Sequence, residues 1–246
     1  MIDRTATDPT DAIAGADLVV IAAPPLETIA LLGRLGTDLR DALDPEALVT
    51  DVTSTKGAVM DAAAAAGIRF VGGHPMAGRE VTGYESGSED LFVDRPWVIV
   101  IPDGAPEAMA DPVRWLASAC GARALSLSAG AHDAAAAAIS HLPLVAAAAL
   151  VEAVAGPGSA DWELARGLAA SGWQGMTRLA RGDARLGAGI AATNATALAG
   201  ALHAYRDAIS AWIALLEQSD GPDADALERR LQAVRIRLEE PRAASE

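Results

Sequence analysis

The feature that most constrains this chain is an alternation. Between Asp17 and Leu127, short buried-strand patterns trade places with helical ones. ADLVVIAAPP reads as a strand stopped by Pro24 and Pro25, and LETIALLGRLGTDLRDAL as a helix with Leu26, Ile29, Leu32, Leu35 and Leu39 on one stripe. ALVTDVTSTKG is a second strand running into a polar turn, KGAVMDAAAAAG a helix with Gly67 as its C-cap, and IRFVGG a third strand. WVIVIP is a fourth strand, APEAMADPVRWLASACG a helix, and ARALSLS a fifth strand. Strands that alternate with helices predict a doubly wound, mostly parallel sheet. From Ala129 onwards no strand-like run appears, and helices are expected at roughly 130–155, 160–171, 173–182, 190–217 and 224–240. The expected fold class is therefore α/β followed by all-α, with domains at 1–128 and 129–246. The last helix carries Leu227, Leu231, Val234 and Leu238 at 4-3-4 spacing, an apolar seam for the body or for a second subunit.

Charge and composition narrow the function. The formal net charge is −14, which argues against nucleic acid and anionic membrane surfaces as partners. An anionic ligand would need local cations to hold it against that field. Apolar residues make up 51% of the chain, much of it alanine, and aromatics 4%, a composition suited to helices that pack closely. Cys120 is the only cysteine, so no disulfide framework is possible and a reducing, cytoplasmic setting is expected. The start, MIDRTATDPTDAIAG, has no apolar core and does not read as a signal peptide. The run from Ala134 to Gly156 is long enough to raise the membrane question. Its alanines are weakly apolar, and His141, Pro143 and Glu152 interrupt it, so a buried helix of a soluble protein and no membrane are expected.

In a doubly wound sheet, ligands bind outside the carboxyl ends of the strands. Three successive strands here end in special residues: Ala23-Pro24-Pro25, then Thr53-Ser54-Thr55-Lys56, then Gly72-Gly73-His74. If those strands are parallel, the three ends share one rim. The glycines would let backbone approach a ligand, and Pro75 would fix the turn that aims the His74 imidazole, a natural general base. A turn histidine bonded only for structure is the alternative. Thr53 or Ser54 would cap the following helix, whose free N–H groups favour an anion. His141, in SHLPLV beside Pro143, reads either as a satisfied core histidine or as the lining of a cleft at a proline kink. Arg178 by itself reads as a solvated arginine, and His132 and His203 as structural. No G-x-G-x-x-G opens a helix after a strand, no P-loop or G-x-S-x-G elbow is present, and no His/Cys/carboxylate group has metal-ligand spacing.

Taken in order, DLVVIAAPP, TDVTSTKG, FVGGHPMAG, ISHLP and the MTRLARGD block resemble the prephenate/arogenate dehydrogenases of tyrosine biosynthesis over nearly all of 1–218. The resemblance implies a Rossmann-like dinucleotide-binding domain and a helical domain that builds a homodimer. It implies NAD- or NADP-dependent oxidative decarboxylation of a small-molecule ring acid: hydride goes to the nicotinamide, a histidine draws off the hydroxyl proton, and CO2 leaves. His74 then matches the histidine that bonds the substrate hydroxyl, and Ser54 the serine of the S-x-K motif beside it. Arg178 matches the arginine that binds a substrate carboxylate, and His141 the histidine lining the substrate pocket. Ala23, Pro24, Pro25, Ser54 and Lys56 border the cofactor, with Lys56 and Arg178 offsetting the negative field.

Several departures accompany the resemblance. The family's βαβ unit with its glycine-rich turn takes about 30 residues, and residues 1–16 are too few for it. The expectation is an incomplete doubly wound sheet that binds cofactor poorly. Gly175 stands where the family has an aspartate, Gly187 where it commonly has a tryptophan, and Leu144 where many relatives carry a second histidine. Two other functions remain open: a non-catalytic dimerisation remnant, and a related dehydrogenase of another small acid.

Overall fold

The computed structural model describes residues 3–78, 83, 87–156 and 161–240. By internal contacts the chain divides into two compact units, Met1–Leu198 and Ala199–Glu246.

All five expected strands form: β1 (Leu18–Ile21), β2 (Leu48–Asp51), β3 (Phe70–Pro75), β4 (Pro96–Val100) and β5 (Arg123–Ser126). They make one sheet in the order β1-β2-β3-β4-β5. Every pairing is parallel except β3 with β4. The three proposed ligand-facing ends therefore do point the same way. Helices α1 (Pro9–Ile13), α2 (Pro25–Leu35), α3 (Gly57–Ala66) and α4 (Asp111–Ala119) connect and cover the strands.

Strand periodicity divides the core in two. Val49 and Phe70 face one side, with Leu32 and Leu35 of α2 and Val59 and Ala63 of α3. Their sequence neighbours Leu48 and Val71 face the other, with Trp97, Ile99, and Val113 and Ala117 of α4. That is the period-two alternation of a sheet covered on both faces. The stripe read on α2 is partly right: Leu32, Leu35 and Leu39 are buried, but α2 stops before Gly36 and Leu26 is exposed.

Beyond Ser128, whose side chain caps the next helix, the chain is helical. Helix α5 (Ala129–Ala136) runs through a π-helical turn (Ala137–His141) into α6 (Leu142–Ala155). Pro143 sits in the first turn of α6, where a missing N–H is tolerated. This continuous run is the one described stretch long and apolar enough to cross a membrane, but only 22% of its apolar window is buried within the chain. The expectation of a buried helix is thus only partly met by this chain alone. The positions it does bury include His132, Asp133 and His141, which tie it to the sheet. Helices α7 (Trp162–Leu168) and α8 (Ser171–Thr177) follow, then a 3-10 turn (Arg178–Arg181). Helix α9 (Ala184–Thr193) begins six residues earlier than the expected start at 190, because Asp183 caps it through Leu186 N. Asn194 breaks the helix before α10 (Ala195–Leu216).

The second unit holds the rest of α10 and α11 (Ala224–Glu239), capped by Asp223. The Arg230 guanidinium lies 4.4 Å from the Trp212 ring. Ile209, Ile213 and Leu216 on α10, and Leu231, Val234 and Leu238 on α11, are exposed.

Candidate active site

The last parallel pair between β2 and β3 is Thr50 with Val71. Gly72 to Pro75 run on past the carboxyl end of β2, paired only with β4 through Gly72–Val100 to Pro75–Trp97. The backbone of Gly73 still needs partners on its open side. Side chains supply them: Gly73 N donates to Asp51 Oδ1 at 3.0 Å, and Lys56 Nζ donates to Gly73 O at 2.7 Å. Asp51 and Lys56 also form an ion pair in which both side chains are fully enclosed. Burial pushes the Lys56 pKa down, while the charge of Asp51 pulls it back up. A Cβ on Gly73 would come within 2.5 Å of Asp51 O. The glycines thus serve a close approach of protein to protein, not of ligand to backbone as the sequence suggested.

The next residue is His74, which continues the strand and opposes Val98. It is held from the other side by the start of α5. His74 Nδ1 lies 2.8 Å from His132 Nε2, and His132 Nδ1 lies 2.8 Å from Asp133 Oδ1. Asp133 in turn accepts from the backbone of Lys56 (2.7 Å) and Gly57 (2.8 Å), the first N–H groups of α3. Burial works to raise the Asp133 pKa, but the bonds from His132, Gly57 and Lys56 outweigh it and hold the carboxylate below its usual range. Behind this group, Asn194 Nδ2 donates to Asp133 O (2.8 Å) and reaches His141 Nδ1 (3.1 Å). The break after α9 is what presents Asn194 there.

His74 is pushed from 6.5 down to about 3, first by burial, then by His132, Lys56 and His141. It is therefore a neutral imidazole across the physiological range. With Nδ1 taken by His132, Nε2 is the nitrogen left for a ligand. His74 and Ser54 line an open cavity of about 450 Å³, closed on its other sides by Ser140, Leu144, Leu179 and Gly187 among others. Helix α9 is drawn over this rim by a Thr193–Thr55 hydroxyl bond of 2.8 Å, an Arg185–Glu27 ion pair, and Gly189, where an added Cβ would lie 3.5 Å from Pro25 Cδ.

The structure brings together only some of the residues singled out in the sequence. Ser54 and His74 share the cavity. Lys56 does not reach it: its ammonium is enclosed and bonded to Asp51, Thr53 and Gly73, so it has no donor to offer a cofactor or carboxylate. Neither Thr53 nor Ser54 caps α3, and its leading N–H groups already hold the protein's own anion, Asp133. His141 is 1% exposed and sits behind the wall rather than in it; its neighbours Ser140 and Leu144 do the lining. Burial keeps the His141 pKa below the usual imidazole value. Arg178 is exposed on the 3-10 turn, one residue before Leu179 of the wall, and no Lys or Arg is among the described lining residues. Ala23, Pro24 and Pro25 form the entry to α2, against which α9 packs. Gly187 and Leu144, two of the three single-residue departures, meet in the wall: a Cβ on Gly187 would lie 3.5 Å from Leu144 Cδ2. Gly175 is open on the surface. Sequence reasoning missed His132, Asp133 and Asn194. The signal for the first two was a histidine and an acid side by side at a helix start directly after a strand.

A parallel-dominated sheet with a histidine at its rim and helices after it is the architecture of a nucleotide-binding domain followed by a helical one. Residues 1–125 match the model of the prephenate dehydrogenase nucleotide-binding domain, and residues 128–233 that of the prephenate dehydrogenase dimerization domain. The chain belongs to the prephenate dehydrogenase family. It is 29% identical over 184 residues to the prephenate dehydrogenase of Lactococcus lactis, covering 73% of this chain and 49% of that one. It is 31% identical over 201 residues to the cyclohexadienyl dehydrogenase of Zymomonas mobilis, covering 80% of this chain and 66% of that one. The crystal structure of Synechocystis arogenate dehydrogenase superposes with a TM-score of 0.76 at 30% identity, over 94% of this chain and 81% of that one. The chain thus spans about half the length of the first curated relatives it matches.

Proposed function

We propose that this chain serves a nicotinamide-dependent dehydrogenase that oxidatively decarboxylates prephenate or arogenate. One observation carries the reading: a neutral His74, its Nδ1 held by His132, lines a cavity at the carboxyl end of a parallel strand, beside Ser54. That is the placement of a general base at the ligand end of a doubly wound sheet. His74 accepts the ring hydroxyl proton at Nε2, and Ser54 orients that hydroxyl. Arg178, next to the wall residue Leu179, holds a substrate carboxylate. In a chain of net charge −14 such a cation is needed. When bound, NAD or NADP accepts the hydride, with its nicotinamide end bordered by Ala23, Pro24, Pro25 and Ser54. The described residues offer no cradle for the pyrophosphate, because the N-terminus of α3 is filled by Asp133. In the wall, Leu144 and Gly187 leave an apolar, roomy side that shapes which ring acid fits. The exposed apolar positions of α10, α11 and Ile139 support a homodimer, and the single cysteine a cytoplasmic one.

The test is reduction of NAD or NADP by the chain with prephenate and with arogenate. His74→Asn should lower turnover at least ~100-fold, the scale of a general base. An unchanged rate removes His74 from the role. Occupation of the α3 N-terminus by Asp133 favours a second reading, a dimerisation module without nucleotide affinity. Calorimetric titration giving micromolar NAD or NADP affinity contradicts that reading.

A further inference from the structure

Behind the cavity lies the buried polar chain His74–His132–Asp133, whose inner two members the proposed reaction does not use. Its geometry is directional. The Asp133 carboxylate is pinned by two backbone N–H groups and can only accept, so His132 Nδ1 must carry a proton to bond it. With the proton on Nδ1, Nε2 is the nitrogen that accepts from His74 Nδ1–H across the 2.8 Å contact. His74 is left with a bare Nε2 at the cavity. The carboxylate, two rings away, thus selects the tautomer of the residue that meets the ligand. His132 is 2% exposed, so no water competes for the link.

We propose that His132 and Asp133 are positioning residues for His74: they fix its tautomer and take over, one ring inward, the proton it removes from a ligand hydroxyl. This rests on the reading of His74 as the base. The steps balance. The ligand O–H bond breaks, its electron pair stays on oxygen, and a bond forms from the proton to His74 Nε2. The His74 Nδ1–H bond breaks and a bond from that proton to His132 Nε2 forms. The positive charge ends on His132, in contact with the Asp133 carboxylate, while His74 is neutral again. Reversal of the two transfers to solvent at the open cavity resets the pair. Of the other charged or titratable groups near His74, Lys56 is bonded to Asp51 and Gly73, and His141 to Asn194; among the described residues only His132 bonds the ring.

The test uses the full chain, uniformly labelled with ¹⁵N, and long-range ¹H–¹⁵N spectra of its histidine rings at neutral pH. His74 should be a neutral ring protonated at Nδ1, the minor form of free imidazole. In His132→Phe, which removes the acceptor, the proton should move to Nε2; Asp133→Asn, which should give a mixture of forms, serves if the first variant does not fold. A wild-type His74 protonated at Nε2, or one unchanged in the variants, overturns the proposal. In the turnover assay both variants should lower kcat roughly 100-fold with little change in KM. An unchanged kcat overturns the relay and leaves the dehydrogenase reading standing. If the wild-type chain oxidises neither substrate, the dehydrogenase reading fails, and the ring spectra decide the tautomer claim in the same two directions.

Discussion

Two buried carboxylates flank the turn between β2 and α3, and they are held in opposite ways. Asp51 is neutralised by Lys56, and together they complete the backbone of Gly73 where β2 has run out. Among the described residues no Lys or Arg side chain bonds Asp133; helix N–H groups and the His132 ring hold it. One carboxylate secures the strand that carries His74, the other secures its ring. The lesson is that a fully paired charge is suited to holding structure. A carboxylate balanced only by dipoles keeps the capacity to stabilise a proton that arrives.

The contrast can be broken by mutation. Lys56→Met leaves Asp51 enclosed without its partner and should cost about 3–5 kcal/mol of stability, measured by urea unfolding. Restoring neutrality with Asp51→Asn in the same chain should recover part of it. If Lys56→Met unfolds no more easily than wild type, the clamp is not structural. Gly73→Ala forces a Cβ against Asp51 O and should cost about 1–3 kcal/mol. Gly187→Ala, whose new Cβ meets only Leu144 at van der Waals distance, should be neutral or slightly stabilising, as expected for a glycine inside a helix. Equal losses at the two glycines would mean that the approach at Gly73 is not the constraint.

Acid sharpens the same comparison. In the unfolded chain the His74 ring binds a proton near pH 6.5, but in the folded chain only near 3. Between those values the unfolded state holds more protons, so stability falls as the pH is lowered, by about 1.4 kcal/mol per unit from this ring alone. His141 shifts in the same direction and adds to the loss. Urea melts of wild type and His74→Asn between pH 7 and 5 should show a shallower slope in the variant; identical slopes would place the proton elsewhere. The smallest effect is expected in the second unit. There Arg230→Ala removes a cation over the Trp212 ring, worth about 0.5–1 kcal/mol, with no change in the histidine spectra.

Most of the framework was legible in the sequence because period-two and helical patterns are local. The five strands, the parallel ends, His74 and Ser54 follow from runs such as LVTD and FVGGHP. The partners of those residues were not legible. Lys56 looked like a ligand-binding cation because the sequence does not reveal that Asp51, five residues back, folds onto it. His132 looked structural because its contact to His74 spans 58 residues, and Asn194 because it depends on a helix break that no proline or glycine marks. His141 was placed in the pocket by resemblance, whereas the π-helical turn puts its neighbours there instead.

The most direct test needs no cofactor. Prephenate is added to the ¹⁵N-labelled chain and the ring of His74 is followed. Its Nε2 resonance should move, as that nitrogen takes a hydrogen bond from the ring hydroxyl, while Nδ1 stays protonated towards His132. Saturable binding of prephenate that leaves both nitrogens of His74 unshifted would contradict a catalytic site at this rim.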